Sequence, residues 1–473
     1  MHRRLSTVSG KGNIIVDNLD ELNYIGGMNI KQFIKETEAE FIDVKYVDLH
    51  GFLRHVTFPV ERFDSFAKKG FGIDGSSVPG FASVEYSDMR VIPDTSRFFI
   101  DPFSDVPVVV MFGDVYLAGE DKPFPHYPRY VLKKAVSVLR EKGIGDELLV
   151  LPELEFYIFR NVYYQHDKFI SYYEIETHED FLAPEKSYHG DVPFDPYHEF
   201  RLFVATILKE IGISVKYAHH EGGKFSQHEI ELDYSPAIGA ADNILLSKLV
   251  INRSAVEFDL RTTFMPKPIP NEAGSGLHLH MMLVKNGGSV FYTSKKNEII
   301  SQTARWFIGG ILKHAGALTA FTNPGTNSFK RLFTGFEAPK KITYSEANRS
   351  AAIRIPGYQK GKNVDIEYRP PDALMNPYLA VSAIIAAGID GIINRIDPGE
   401  PVKGNIDAIA SIPELPSSLK EALESLDRDR GFLLSDGIFT EELIDRWIEI
   451  KNREYWEIST TPSVAEFEKY FGR

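Results

Sequence analysis

Four segments of the chain alternate acidic or histidine side chains with large apolar ones at every second position. They read ELEFYIF at 153–159, HEIELD at 228–233, HLHMM at 278–282 and DIEYR at 365–369. Side chains two residues apart share one face of a β-strand, so each segment has a polar and an apolar face. The pattern predicts antiparallel strands with an apolar face toward a core and a polar face rich in carboxylates.

The polar faces of these strands carry many metal-capable side chains: Glu153, Glu155, Glu229, Glu231, His278, His280, Asp365 and Glu367. One such strand alone is typical of a half-solvated sheet. Together, with glycine pairs beside two of them, they indicate a concave polar surface. Converging carboxylates repel one another and take up protons unless cations neutralise them. Oxygen donors with an imidazole and no sulfur favour Mg²⁺ or Mn²⁺, and the chain has no cysteine.

The segment HHEGGKFSQHEIEL at 219–232 concentrates these residues further. We expect Glu221 and Glu229 to reach one metal from the two sides of its glycine-containing turn. The carboxylates around His278 favour a ligand role for that residue. His219, His220 and His228 are interpreted as structural histidines.

Arginines supply the complementary charge. Arg331 and Glu337 lie in NPGTNSFKRLFTGFEAPKK at 323–341, which is predicted to be a mobile loop, and Arg349, Arg354 and Arg369 follow. Arginines beside a site for two metals clamp phosphate and carboxylate oxygens, so the combination favours phosphoryl transfer from a nucleotide. The sequence contains neither GxxxxGK[ST] nor GxGxxG after a strand, so any nucleotide is held without those loops.

Charge and length restrict the partners and the location. The net charge of −13 argues against nucleic acid or an acidic membrane surface as a partner. The apolar stretch at 378–393 is too short to cross a bilayer and contains Asp390. With no signal-peptide core near the N-terminus, a cytoplasmic location is expected.

The organisation of the chain suggests two domains after an extension. Residues 1–27 are predicted to form a flexible extension, residues 28–120 a small β-rich domain with a hairpin from Phe41, and residues 121–473 a larger domain. The boundary is placed at the proline-rich stretch DKPFPHYPRY. Further expectations are a helix at 129–142, a strand at 148–160, a long loop or insertion at 161–200, a buried helix at 378–393 and a helical cap from about Leu415.

In their order along the chain, the motifs resemble those of the glutamine synthetase family, in its long bacterial and archaeal form, from Met28 onward. They are DGSS at 74–77, PELEF at 152–156, HHE and QHE ending at 221 and 229, GSGLHLH at 274–280, NPGTNSFKRL with GFEAP, NRSAAIRIP, IEYRPPD and NPYLA. The resemblance implies an α+β fold, with a β-grasp-like N-terminal domain and a catalytic domain built on a curved antiparallel sheet flanked by helices. It also implies that ammonia is joined to the γ-carboxylate of L-glutamate through a γ-glutamyl phosphate, giving glutamine, ADP and phosphate from ATP.

The resemblance also implies residue roles. Glu155, Glu221 and Glu229 are expected to hold one Mg²⁺ or Mn²⁺, and Glu153, His278 and Glu367 the second, near the phosphates. Arg349 and Arg369 are expected to stabilise the transferring phosphoryl group, Arg331 to hold the glutamate carboxylate, and Glu337 to close over the site and help remove a proton. Asp74 is expected to bind and deprotonate ammonium, in a pocket lined by Tyr188 and Ser77. Gly274 and Arg354 complete the predicted substrate site, and His280 and Lys362 are predicted to bind the nucleotide.

In this family Asp74 completes the site of a neighbouring subunit, so the resemblance implies a homo-oligomer, namely a dodecamer of two stacked hexameric rings. Three positions depart from the pattern near the substrates: Lys216 replaces a glutamate, Ala273 an asparagine and Met282 a serine. In addition, PVKGNIDAI at 401–409 lacks the tyrosine that some bacterial members adenylylate, so no such control is predicted at that position.

Three functions remain open at this point. A glutamate–ammonia ligase is favoured by the presence of Asp74, Tyr188, Glu337, Arg331 and Arg349. A γ-glutamyl ligase for a larger amine or polyamine is favoured by Lys216 and Ala273. A non-catalytic regulatory paralogue would be expected to lack metal ligands, yet all six are present.

Overall fold

The computed structural model describes residues 29–179, 187–296, 298–333, 335, 338–358 and 361–471. The predicted extension at residues 1–27 and the predicted catalytic residue Glu337 both lie outside these ranges. Among the described residues, no helix combines the length and apolar character that crossing a membrane requires.

The N-terminal part of the chain forms a five-stranded sheet in the order β2-β1-β5-β4-β3. Its elements are α1 (Ile30–Glu36), β1 (Phe41–Val47), β2 (Leu53–Pro59), α2 (Phe63–Lys69), β3 (Phe71–Asp74), β4 (Asp88–Ile100) and β5 (Val108–Leu117). β1 and β5 are parallel, and the other neighbours are antiparallel. The predicted hairpin is confirmed as β1 and β2, whose connection contains Gly51 at φ 91°, a conformation that favours glycine.

The larger sheet has ten strands, seven of them in the order β15-β16-β17-β13-β6-β10-β9. They are β6 (Glu147–Phe159), β9 (Val215–His220), β10 (Gln227–Leu232), β13 (Leu277–Lys285), β15 (Lys341–Glu346), β16 (Ala351–Ile355) and β17 (Ile366–Tyr368). The short strands β11 (Ser235–Pro236) and β12 (Arg261–Thr263) pair with β6, and β14 (Gly288–Ser289) pairs with β13. A separate hairpin is formed by β7 (Asn161–His166) and β8 (Ser171–Glu176). All these pairs are antiparallel except β15 and β16, so the predicted α+β class is confirmed.

Helices accompany the larger sheet, and the first three of them pack on its strands β6 and β9. They are α3 (Pro128–Glu141), α4 (His198–Glu210), α5 (Ala237–Glu257), α6 (Gln302–Lys313), α7 (Ala315–Thr322), α8 (Thr326–Leu332), α9 (Pro377–Ile393), α10 (Leu419–Arg428), α11 (Gly431–Leu434), α12 (Glu441–Ser459) and α13 (Val464–Tyr470). The α9 helix is buried over nearly its whole length, as predicted, and Asn376 caps it by accepting from Tyr378 N–H and Leu379 N–H. The predicted C-terminal cap corresponds to α10–α13.

A buried charge cluster joins the two sheets. Arg129 of α3 donates to Asp94 Oδ2 (2.8 Å) and Asp114 Oδ1 (3.0 Å) of the N-terminal sheet and to Asp242 Oδ1 (3.1 Å) of α5. Tyr378 of α9 also donates to Asp242, at 2.5 Å. Because Arg129 and Asp242 are almost fully buried, this cluster fixes the N-terminal sheet against the catalytic helices.

Two sequence expectations need correction. Residues 161–200 are not simply a long loop, because β7 and β8 form a hairpin there and α4 begins at His198. The predicted mobile loop at 323–341 contains the helix α8, whose Phe329, Arg331 and Leu332 are buried. In α8, Arg331 is therefore held on a helix and not on a loop.

Candidate active site

The polar face predicted from the alternating segments lies on the central strands of the larger sheet. The register of β6 and β10 pairs Glu153 with Glu231 and Glu155 with Glu229. On the other side of β6, β13 places His278 opposite Glu153. Directly paired residues of antiparallel strands point to the same face. The sheet therefore gathers these carboxylates and the imidazole on one surface, and the alternate apolar residues face the core.

Two overlapping groups on this surface can hold a divalent metal ion. Glu155, Glu229 and His278 form one group and His219, Glu221 and Glu229 the other, and in each group one ligand atom per residue lies within 4.8 Å of the others. Burial and the neighbouring carboxylates raise the pKa of Glu229 well above its usual range and the pKa of Glu221 to about 7. These carboxylates need a cation nearby before they ionise fully at neutral pH.

A third group consists of Glu153, His278 and Glu367. His278 Nδ1 lies 2.8 Å from Glu153 Oε2. Both oxygens of the fully buried Glu367 accept from arginines, one from Arg354 at 2.6 Å and the other from Arg369. Burial opposes ionisation of Glu367, but Arg369 lowers its pKa to about 2. This end of the surface thus has permanent positive charges of its own.

His280, which was predicted to bind the nucleotide, lies between two carboxylates. Its Nδ1 is 2.7 Å from Asp365 Oδ2 and its Nε2 is 2.9 Å from Glu153 Oε1. Burial opposes protonation of the ring, but Glu153 and Asp365 raise the pKa of His280 well above its usual range. In this structure His280 orients Glu153, and its contact with a nucleotide remains a prediction.

The donor set fits Mg²⁺ or Mn²⁺. Each of the three groups offers carboxylate oxygens with a single imidazole, and the chain contains no thiolate, which is the chemistry that hard divalent ions select. A bound cation would also offset the burial and mutual repulsion that raise the pKa of Glu221 and Glu229. All six predicted metal ligands belong to these overlapping groups: Glu153, Glu155, Glu221, Glu229, His278 and Glu367.

Arg331 lies beside this surface with its guanidinium group anchored. Its nitrogens donate to the carbonyl oxygens of residues 369–371 at 2.7–3.1 Å, and its Nη2 is 3.4 Å from His278 Nε2. Glycine is needed where the chain passes this side chain, because an added Cβ would lie 2.8 Å from Arg331 Cγ at Gly274 and 2.6 Å from its Nη2 at Gly276. The predicted substrate residues Arg331 and Gly274 are therefore in contact.

Two other predicted site residues, Tyr188 and Arg349, lie near the metal group that contains His219 and Glu221. Tyr188 stacks on His189 at 4.1 Å between ring centroids and meets the edge of His219 at 5.8 Å. The positive charge of Arg349 acts on both Glu221 and Tyr188. The structure thus brings Tyr188 and Arg349 to the end of the surface that holds Glu221.

Asp74 ends β3 of the N-terminal sheet and Ser77 lies in the short 3₁₀ helix that follows it, and neither belongs to the metal groups of the described residues. Asp74 Oδ1 accepts from Ser76 N–H at 2.9 Å and its Oδ2 accepts from Ser77 at 2.7 Å. The hydrogen bonds from Ser76 and Ser77 lower the pKa of Asp74. Lys362 is exposed in a short 3₁₀ helix at Gly361–Asn363. The roles of these residues remain predictions.

Sequence reasoning missed two members of the surface. His219 was interpreted as structural, but β9 pairs it with Glu229 and its Nε2 lies 3.2 Å from that carboxylate. Lys216 was interpreted as a departure that favours a larger amine, but its Nζ lies 2.5 Å from Glu231 Oε1. The position of His219, two residues before Glu221, was the available signal, because alternation places both side chains on one face of a strand.

A further buried group, Glu179, His220 and His228, has metal-like spacing but unsuitable chemistry. Arg201 Nη1 lies 2.9 Å from His228 Nδ1, and an arginine can only donate. The proton of the neutral His228 ring is then on Nε2, which leaves no lone pair for a metal. The arrangement agrees with the interpretation of His220 and His228 as structural histidines.

The two other departures have local partners. The carbonyl oxygen of Ala273 accepts from Tyr157 Oη at 2.6 Å, so its backbone is fixed next to Gly274 although its methyl side chain offers no polar group. Met282 packs with Leu149, Val284 and Tyr234 in a small apolar cluster.

Comparison with known proteins agrees with this architecture. The family model "Glutamine synthetase, beta-Grasp domain" matches residues 38–118, and "Glutamine synthetase, catalytic domain" matches residues 125–470. A relative named 3-hydroxylaminophenol mutase from Cupriavidus pinatubonensis is 38% identical over 464 residues, which are 94% of this chain and 98% of the relative. Glutamine synthetase of Pseudomonas aeruginosa is 38% identical over 462 residues, 93% of this chain and 98% of the relative.

Solved structures give the same result. The cryo-EM structure of Plasmodium falciparum glutamine synthetase superposes with a TM-score of 0.85 at 28% identity and covers 99% of this chain and 100% of that one. An apo structure of GmaS has a TM-score of 0.81 at 27% identity and covers 94% of this chain and 100% of that one. Both predicted architectures, the β-grasp domain and the catalytic domain, are confirmed, and the chain belongs to the glutamine synthetase family.

Proposed function

We propose that the chain joins ammonia to the γ-carboxylate of L-glutamate, with ATP as phosphoryl donor and γ-glutamyl phosphate as intermediate. The observation that carries the proposal is the convergence of six predicted metal ligands from four strands and from the turn after β9, with arginines beside them. Family membership supports a ligase, and the exact reaction is the part that we propose, because some relatives carry other names.

The metal ligands divide into two sets in this proposal. Glu155, Glu221 and Glu229 would hold one Mg²⁺ or Mn²⁺, and Glu153, His278 and Glu367 the other. Bound divalent ions neutralise phosphate oxygens and make the phosphorus more open to attack.

The remaining residues bind and orient the substrates. Arg349 and Arg369 stabilise the negative charge of the transferring phosphoryl group. Arg331 holds the carboxylate of glutamate. Some N–H groups of its guanidinium donate to backbone carbonyls, and the remaining N–H groups would donate to the substrate. Gly274 and Arg354 contribute to the same substrate site, and His280 and Lys362 to the nucleotide site.

Ammonium needs a base, because the cation has no lone pair for attack on the acyl phosphate. Asp74 accepts its proton in a pocket lined by Tyr188 and Ser77, and Glu337 takes part from a covering segment. The hydrogen bonds that lower the pKa of Asp74 keep it ionised, which suits the binding of a cation. Because Asp74 lies on the N-terminal sheet, we propose that it serves the site of a neighbouring subunit in a homo-oligomer, a dodecamer of two stacked hexameric rings.

A second candidate is a γ-glutamyl ligase that uses a larger amine. Ala273 offers only a methyl group next to Gly274, where the substrate is proposed to bind, and this removes a polar contact and some volume. A site that has lost a polar contact can accept a different or larger substrate. The retention of Asp74 and Tyr188 favours ammonia.

The test is phosphate release from ATP by the purified protein with Mg²⁺ and L-glutamate, comparing ammonium with primary amines and polyamines, and with products identified by mass. Glutamine formation with ammonium alone supports the first proposal, and turnover with only a larger amine supports the second. The Glu153→Gln variant is the inactive control. A separate incubation of 3-hydroxylaminophenol without ATP tests the activity that the name of the Cupriavidus relative describes. Turnover in that incubation alone would refute both ligase proposals.

A further inference from the structure

Glu231, which has no role in the proposed function, belongs to a group with metal-like spacing. Ligand atoms of Glu153, Glu231 and His280 lie within 4.8 Å of one another. The Glu231 side chain is almost completely buried, and β10 places it directly opposite Glu153. Two carboxylates that face each other away from water need a positive charge between them, and a divalent ion is one way to supply it.

Lys216 supplies a positive charge at this point through an irregularity of the sheet. Val215 pairs with Leu232 and Tyr217 pairs with Glu231, so Lys216 is the extra residue of a bulge between β9 and β10. An extra residue redirects a side chain that would otherwise follow the alternation. Lys216 Nζ accordingly lies 2.5 Å from Glu231 Oε1 and 4.7 Å from the centre of the Tyr217 ring.

The imidazole of the group is also engaged. Both ring nitrogens of His280 contact carboxylates, Nδ1 with Asp365 at 2.7 Å and Nε2 with Glu153 at 2.9 Å. A metal ion at this group would have to displace the Lys216 ammonium from Glu231 and open a contact of His280. At the other groups, the imidazole of His219 lies 3.8 Å from Glu221 Oε1 and 3.2 Å from Glu229 Oε1.

We propose that Lys216 is a built-in cation that excludes a divalent metal ion from the group of Glu153, Glu231 and His280. At Glu231 its ammonium takes the place of an exchangeable ion. This inference rests on the proposed metal-binding function of the surface. It concerns a residue at which this chain departs from the family pattern and assigns that departure a physical role.

The test counts bound Mn²⁺ in the metal-stripped, full-length protein by electron paramagnetic resonance of the free ion, without nucleotide. Lys216→Gln keeps a hydrogen-bond donor for Glu231 but removes the charge, and it is expected to bind one more Mn²⁺ per chain than the wild type. Lys216→Arg, which keeps the charge, and Lys209→Met, at an exposed lysine of α4, are expected to match the wild type. Lys216→Gln combined with Glu231→Gln is expected to lose the additional ion.

The outcomes separate this inference from the proposed function. Equal counts and affinities in the wild type and in Lys216→Gln would overturn the inference and leave the proposed function intact. A wild type that binds no Mn²⁺ would overturn the metal-binding proposal on which both depend. An additional ion that persists in the double variant would also overturn the inference, because that ion would not depend on Glu231. Melting temperatures in chelator show that each variant is folded.

Discussion

Replacing Glu229 with glutamine should make the metal-free protein more stable and its metal-bound form less stable relative to the wild type. Glu229 is shared by two candidate groups and lies within 4.8 Å of other ligand atoms in each. At that separation and an effective dielectric constant of about 20, two carboxylates repel by about 3 kcal/mol. Proton uptake relieves part of this repulsion, so we expect Glu229→Gln to stabilise the metal-free chain by about 1–3 kcal/mol.

The metal-bound state should respond in the opposite direction. An ion at about one hundred times its dissociation constant stabilises the native state by about 2.7 kcal/mol, and Glu229→Gln should lose most of that gain because it removes a charged ligand from both groups. The assay is chemical denaturation in chelator and in saturating Mn²⁺, with Glu257→Gln, an exposed position of α5, as the matched control. Unchanged stability in chelator together with a full response to Mn²⁺ would refute the assignment of Glu229 to the metal surface.

Three further predictions test the chemistry and the fold. Asp74→Ala should slow amide formation much more than phosphorylation of glutamate, measured separately by rapid quench; equal losses in both steps would contradict its role as a base for ammonium. Burial lowers the pKa of Lys248 to about 8, so between about pH 8 and its ordinary pKa the unfolded chain binds more protons than the folded chain, and the stability of the wild type rises with pH. Lys248→Met should therefore be more stable than the wild type by about 1–2 kcal/mol at pH 7, after allowance for partial exposure, and this advantage should vanish near pH 10.5. A stability difference that does not change with pH would contradict this reasoning. Arg129→Met should lower the free energy of unfolding by about 3–5 kcal/mol, because it leaves Asp242 buried without its ion pair. The control Arg140→Met, at a more exposed ion pair, should lower it by less than about 1 kcal/mol. Similar unfolding curves for the two variants would contradict the proposed contribution of the buried cluster.

The parts of the fold that sequence reasoning predicted share a strong periodic signal. β6, β10 and β13 alternate residues such as Glu153 and Leu154, because one face packs on the core and the other carries the site. The β7–β8 hairpin has no such contrast. Tyr164 and Phe169 are largely exposed, so the hairpin packs neither face fully and its sequence resembles a polar loop. The α8 helix was missed because glycines at 325 and 335 and Pro324 flank its short apolar pattern.

The surface that carries the metal groups was likewise predictable only in part from the sequence. Glu155 and Glu229 could be assigned to one face by counting alternate positions, but this count does not give the register between strands that are distant in the chain. The contact of Lys216 with Glu231 depends on a bulge, and a bulge shifts the alternation by one residue without a fixed sequence signature. The anchoring of Arg331 on backbone carbonyls is likewise set by tertiary packing.

The site is electrostatically asymmetric, and this asymmetry indicates how it depends on metal. At one end, Arg354 and Arg369 neutralise Glu367 permanently, and its pKa falls to about 2. At the other end, burial and mutual repulsion raise the pKa of Glu221 and Glu229, and the positive charge of Arg349 offsets only part of this at Glu221. Fixed cations keep the first end ordered in any ionic condition. The second end gains its full negative charge only when exchangeable cations arrive, so the order of the turn between β9 and β10 should follow metal concentration.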